Sequence, residues 1–190
     1  MARRVILVAI AIVAALAIAA VLSLRGGMSA RDEPSRAERL VARAARHWAV
    51  PRALRNAKNP IPVTPPLLAE ARAHFADHCA GCHGNDGKGS PLGISMYPKA
   101  PDMTLAATQS LSDGELFAII ENGVRLTGMP AFGNGTAASA RGSWLLVHFI
   151  RHLPRLSAAE REEMESLNPK TPEEWRAQQE ESDFLSGHTH

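Results

Sequence analysis

The chain has two cysteines, three residues apart, with a histidine directly after the second: Cys79-Ala80-Gly81-Cys82-His83. This spacing excludes a disulfide framework joining distant parts of the fold, so the pair needs a local explanation. Two thiols separated by two residues at a helix end can each add to one vinyl group of a porphyrin. The adjacent imidazole is then held beneath the iron as its proximal ligand. Gly81 and Gly84 keep side chains out of a turn that such a group would crowd. Two other readings compete. A thioredoxin-like dithiol wants a βαβ context, and the apolar pattern here shows no strand alternation. A zinc site wants two further ligands at matching spacing; His74 and His78 are nearby and of the right type. The pattern favours one covalently attached haem c, with iron as the metal.

A second axial ligand has to reach the iron from the opposite side of the ring, which requires a long excursion of chain. Met129 follows Cys82 by 47 residues, in Leu126-Thr127-Gly128-Met129-Pro130-Ala131-Phe132. Gly128 permits close approach and Pro130 restricts the backbone, so this thioether can be aimed. Met96 and Met103 are substitutes that lie soon after His83, and Met164 falls later, among acidic residues. His148 and His152 would give bis-histidine ligation, but they read better as solvent-facing or as supports for a helix pair. For the other imidazole nitrogen of His83, the loop from Pro91 to Pro101 offers carbonyl acceptors, with Pro98 and Pro101 preferred. Arg125 and Trp144 are candidate donors to the haem propionates, or else a surface arginine and a core tryptophan.

Outside this centre the chain divides by charge. Residues 25–60 carry nine basic and three acidic side chains, residues 65–155 seven of each, and residues 156–190 three basic and nine acidic. A neutral core is therefore expected between a basic arm and an acidic tail. The arm's arginines are not interleaved with aromatic residues, which argues against nucleic acid. Before the arm, Val5 to Leu24 is apolar except for Ser23, long enough at about 1.5 Å per residue to cross roughly 30 Å of hydrocarbon. Ala17-Ile18-Ala19 resembles a signal cleavage site, yet apolar residues continue past it, so a retained anchor is favoured. Arg25, Arg31, Arg36 and Arg39 would by the positive-inside rule keep the following segment cytoplasmic. Haem attachment overrides that and places it outside.

From Ser35 to Val50, arginines at 36, 39, 43 and 46 alternate with Leu40, Ala44 and Trp48 at helical spacing. This reads as an amphipathic helix with a solvated cationic face and Trp48 packed on the globular domain, in preference to a helix lying on anionic lipid. Pro51, Pro60, Pro62, Pro65 and Pro66 read as a stiff, extended linker. Thr64 with Pro65 announces a helix that runs into the cysteines. Ser112 and Glu115 form a capping box for a second helix, stapled by Leu111 and Leu116 and ending near Gly123. A third helix covers roughly residues 138–152 and stops at Pro154. The acidic residues from Glu160 to Glu165, with Glu173 and Glu174 beyond them, read as a solvated helix that could instead fold onto the basic arm or dock on a cationic partner.

The stretches CAGCHGNDGKG, APDMT, LSDGELFAIIENGVRLTGMPAFG and WLLVHFIRHLP together resemble a class I monohaem cytochrome c of the bacterial kind with short loops. The resemblance covers about residues 67–155. It implies an all-α fold of three main helices around one haem, with the first and last crossing beside it. It also implies thioethers at Cys79 and Cys82 and iron ligands at His83 and Met129. The expected organisation is an anchor at 1–25, a basic helix and linker at 26–64, a cytochrome domain at 65–155 and an acidic tail at 156–190. With both axial positions filled by protein, the expected role is a one-electron carrier and not an enzyme. Its place would be the periplasmic face of the inner membrane, in a respiratory chain, with redox proteins as partners. The alternatives are a haem enzyme or sensor with a displaceable methionine, and a metal-handling protein using His188 and His190.

Overall fold

The computed structural model describes residues 2–25, 29–170, 174, 176 and 177, and among these all regular structure is helical. His188 and His190 lie outside the described residues. Two units separate at residues 33 and 34. The first contains α1 (Ala2–Arg25), whose stretch from Ala2 to Leu22 is long and apolar enough to span a membrane.

The second unit comprises α2 (Arg36–Ala49), α3 (Arg52–Arg55), α4 (Pro65–His78), α5 (Ala80–His83), α6 (Pro91–Ile94), α7 (Ala106–Gln109), α8 (Asp113–Asn122), α9 (Ala137–His152) and α10 (Ala158–Leu167). A 3-10 turn, Leu153–Arg155, follows α9. Most of the longer helices start on a hydroxyl cap that satisfies an otherwise orphaned N–H. Thr64 accepts from Leu67 N ahead of α4, and Thr136 accepts from Ser139 N ahead of α9. Ser35 with Glu38, Ser112 with Glu115 and Ser157 with Glu160 form complete capping boxes for α2, α8 and α10.

The core forms where α4 crosses α9. Phe75 meets Phe149 with ring centroids 4.9 Å apart and planes tilted by 51°. Ala71 and Ala76 on one helix and Leu145, Leu146 and Val147 on the other complete the contact with essentially no exposed surface. The small alanines let the helix axes approach, and the aromatic pair fills the space between them. α8 closes a second side through Leu116 and Ile120, and Phe117 stacks on Trp144 at 4.2 Å. Trp144 is thus a packing residue, while Arg125 is exposed.

Three expectations require correction. Trp48 does not pack on the domain: it is 83 % exposed, and it is the basic side of α2 that meets the domain, with His47 Nδ1 2.8 Å from Glu115 Oε1. The proline-rich stretch is not a free extended strut. It forms α3 and is then laid along the domain, where Asn59 Nδ2 donates to Trp144 O at 2.7 Å and the Ile61 carbonyl lies 2.7 Å from His148 Nε2. The Leu54 carbonyl approaches Gly114 so closely that a Cβ there would overlap it.

The third correction concerns the acidic tail, because its first helix is not simply solvated. α10 packs on α4 and buries Met164 completely, while Arg72 of α4 binds Glu160 at 3.2 Å and Glu163 at 2.6 Å. Acidic residues mask one apolar anchor whose burial is worth about 2 kcal/mol.

Candidate haem site

α4 ends where the cysteine motif begins. Cys79 caps α4 by donating its N–H to Phe75 O, and its own carbonyl accepts from His83 N at 2.9 Å, which starts α5. One residue therefore serves as the last of one helix and the cap of the next, and the chain turns there. Gly84 leaves α5 with φ +70°, and the chain then doubles back over the motif. Gly89 N donates to His83 O at 2.7 Å, Ser90 N to Cys82 O at 3.0 Å, and Ser90 Oγ to Gly81 O at 2.6 Å. Each carbonyl released at the end of α5 is thus taken up locally, which holds the motif's side chains in a fixed frame. A Cβ at Gly81 would meet nothing within 4 Å, whereas one at Gly93 would overlap the Cys82 carbonyl.

Cys79 and Cys82 are both free thiols and both partly buried. Burial, followed by the neighbouring Cys82, pushes the Cys79 thiol up to about 12. Burial lowers the pKa of His83, so its imidazole is neutral at neutral pH and has a nitrogen lone pair to offer a metal. His83 Nδ1 is buried with no hydrogen-bond partner, so neither the Pro98 nor the Pro101 carbonyl accepts from it as expected. Two unpaired thiols with a neutral imidazole directly after the second are a donor set that fits a covalently held metalloporphyrin.

The Met129 loop hangs from the end of α8. Gly123, with φ +63°, lets the chain leave the helix; a Cβ there would stand 2.5 Å from the Pro130 carbonyl carbon and 2.7 Å from the Met129 oxygen. Val124 N then donates to Met129 O at 3.1 Å and Met129 N to Thr127 Oγ1 at 3.1 Å. Phe132 N and Gly133 N return to the carbonyls of Ile120 and Glu121 at 3.1 and 3.0 Å. Leu126 at the loop tip has φ +63° and an exposed side chain.

The alternatives are placed differently. Met103 and Met164 are buried in the core, while Met96 lies against the Met129 loop, its Sδ 2.5 Å from where a Gly128 Cβ would stand. Sequence reasoning took Met96 only as a substitute ligand, and its spacing gave no sign that it would abut the loop. His148 is engaged with Ile61, and His152 Nε2 lies 2.8 Å from Glu160 Oε1, so both support helix packing. His74 and His78 stand edge to face at 4.9 Å. Among the described residues, no three His, Cys, Asp or Glu side chains gather into a metal-holding group.

An all-helical unit with a C-x-x-C-H motif at the junction of its first main helix, and a glycine-flanked methionine loop between the other two, is a class I c-type cytochrome domain. Residues 66–150 match the family described as cytochrome C oxidase, cbb3-type, subunit III. No curated protein matches the chain. The cofactor is covalently bound haem c, and the activity of such a domain is electron transport.

Proposed function

We propose that Cys79 and Cys82 hold the haem by thioether bonds, that His83 and Met129 are its axial ligands, and that the protein passes single electrons to and from redox partners of a respiratory membrane complex. The haem iron supplies the ferric–ferrous couple. The chain's residues do the rest. His83, neutral through burial, presents a nitrogen donor, and the hydrogen bonds from Gly89 and Ser90 fix the turn that carries it. Met129 is aimed by Gly123, Thr127 and Pro130, and a thioether favours the ferrous state. The apolar core beside the motif, where Phe75 and Ala80 are buried, disfavours the extra charge of ferric iron. A positive midpoint potential is expected.

In this reading the chain has an anchor at 1–25, a basic segment at 26–64, the cytochrome domain at 65–155 and an acidic extension at 156–190. α1 keeps the protein in the inner membrane as a single pass, and the domain faces the periplasm, where haem attachment and disulfide-permissive chemistry occur. The observation carrying the proposal is the cysteine motif, which caps α4 with Cys79 and forms α5 under backbone hydrogen bonds from Gly89 and Ser90, within the segment that matches the oxidase subunit family. The test is the visible spectrum of the membrane fraction, oxidised and reduced, with haem staining on a denaturing gel. A stained band and an unchanged reduced spectrum under carbon monoxide support the carrier. Ready carbon monoxide binding supports a haem enzyme or sensor, and a colourless chain with free thiols ends the proposal.

A further inference from the structure

α2 has its two faces the opposite way round from an ordinary surface helix. Leu40, Val41, Ala44 and Trp48 fall within about 100° of arc at 100° per residue. Leu40 is 70 % exposed, Val41 67 % and Trp48 83 %. The side turned to the domain is polar. His47 bridges Glu115 and Arg55 at 2.8 and 2.6 Å, the Glu38 carboxylate accepts from Tyr97 OH at 3.0 Å, and Arg43 and Arg46 line a crevice with Ser110 and Leu111. A helix that gives Glu38, Arg46 and His47 to its own domain and leaves tryptophan and branched aliphatics outward has an apolar face needing a different cover.

Chain length identifies that cover. Ten residues, 26–35, separate the end of α1 from the start of α2, and fully extended they reach no further than about 36 Å. On the reading of α1 as a retained anchor, α2 can never leave the neighbourhood of the bilayer surface. Its exposed Arg36 and Arg39 border the apolar face, where long side chains can reach lipid phosphates while the aliphatic residues and Trp48 enter the headgroup boundary. We infer that α2 lies in the membrane–water interface, its Leu40–Val41–Trp48 face inserted among phospholipid headgroups, so that the cytochrome domain is held to the bilayer at two points. This inference rests on the anchor reading and not on the haem reading.

The test uses the full-length holoprotein in vesicles of phosphatidylglycerol and phosphatidylethanolamine. Thioether attachment leaves no reactive native thiol, so Val41→Cys offers one site for a nitroxide label, and Lys58→Cys offers an aqueous control. Collisional relaxation by oxygen, which concentrates in lipid, should exceed relaxation by a water-soluble nickel chelate several-fold at 41 and fall below it at 58. Adding Leu40→Ser and Trp48→Ser should shift the label at 41 to the aqueous pattern while the visible spectrum stays unchanged. A nickel-dominated signal at 41 in protein that resists carbonate extraction overturns the inference and leaves the anchor standing. Spin–spin broadening at 41, the mark of a second copy covering this face, overturns it too. Release by carbonate overturns anchor and inference together, and label uptake by the parent chain reports separately on haem attachment.

Discussion

Gly123 and Met129 control the same loop in different ways. Gly123 occupies φ +63°, ψ −168°, a region almost closed to residues with a Cβ, and that Cβ would press on the backbone from Met129 to Ala131. Gly123→Ala should therefore cost on the order of 1–3 kcal/mol of backbone strain, read as a lower denaturant midpoint. It should also weaken the iron–sulfur charge-transfer band before the helices melt. Met129→Ala should leave haem attachment intact on a stained gel and lower the midpoint potential by on the order of 100 mV or more, within the roughly 0.8 V that axial ligands control. An unchanged potential would transfer the ligand role to Met96. At this scale the sequence showed the cysteine motif and the Gly-Met-Pro loop because their chemistry is local. It did not show the unpartnered His83 Nδ1 or the Met96 sulfur against Gly128, since both depend on where the segment after His83 lands.

Among the elements, α10 gives the clearest contrast between pattern and packing. Its charge suggested a solvated helix, but Met164→Ala should cost about 2–5 kcal/mol because the side chain has no exposed surface. Ser157→Ala should cost about 1 kcal/mol by removing the cap. Burial pushes the Glu160 carboxyl up, but the Ser157 N–H and hydroxyl and the His152 imidazole outweigh it and bring the pKa from 4.5 down to about 2. A depressed carboxylate stabilises the fold fully above pH 4.5 and loses that contribution as the pH falls through about 2. The stability gap between the parent and Glu160→Gln should accordingly narrow across that window in denaturant titrations. α4, α8 and α9 were legible to within a residue or so because hydroxyl caps, a proline and a capping box mark their ends. The docking of α10 and the outward face of α2 were not, because periodicity reveals an amphipathic helix without saying which side meets the domain.

For the whole molecule, the apolar length of α1 and the neutral middle of the chain were readable from composition alone. Replacing Ala2–Arg25 by a cleavable export signal should yield a red protein with an unaltered reduced spectrum that carbonate extraction releases from membranes, measured by fractionation and haem staining. Only part of this architecture is equally strong. Two hydrogen bonds, Phe132 N to Ile120 O and Gly133 N to Glu121 O, suspend the methionine loop from the last turn of α8, whereas the histidine side grows out of the best-packed crossing in the fold. On the proposed ligation, gentle warming would loosen the sulfur side first, so colour would register a local opening while circular dichroism still reported an intact bundle.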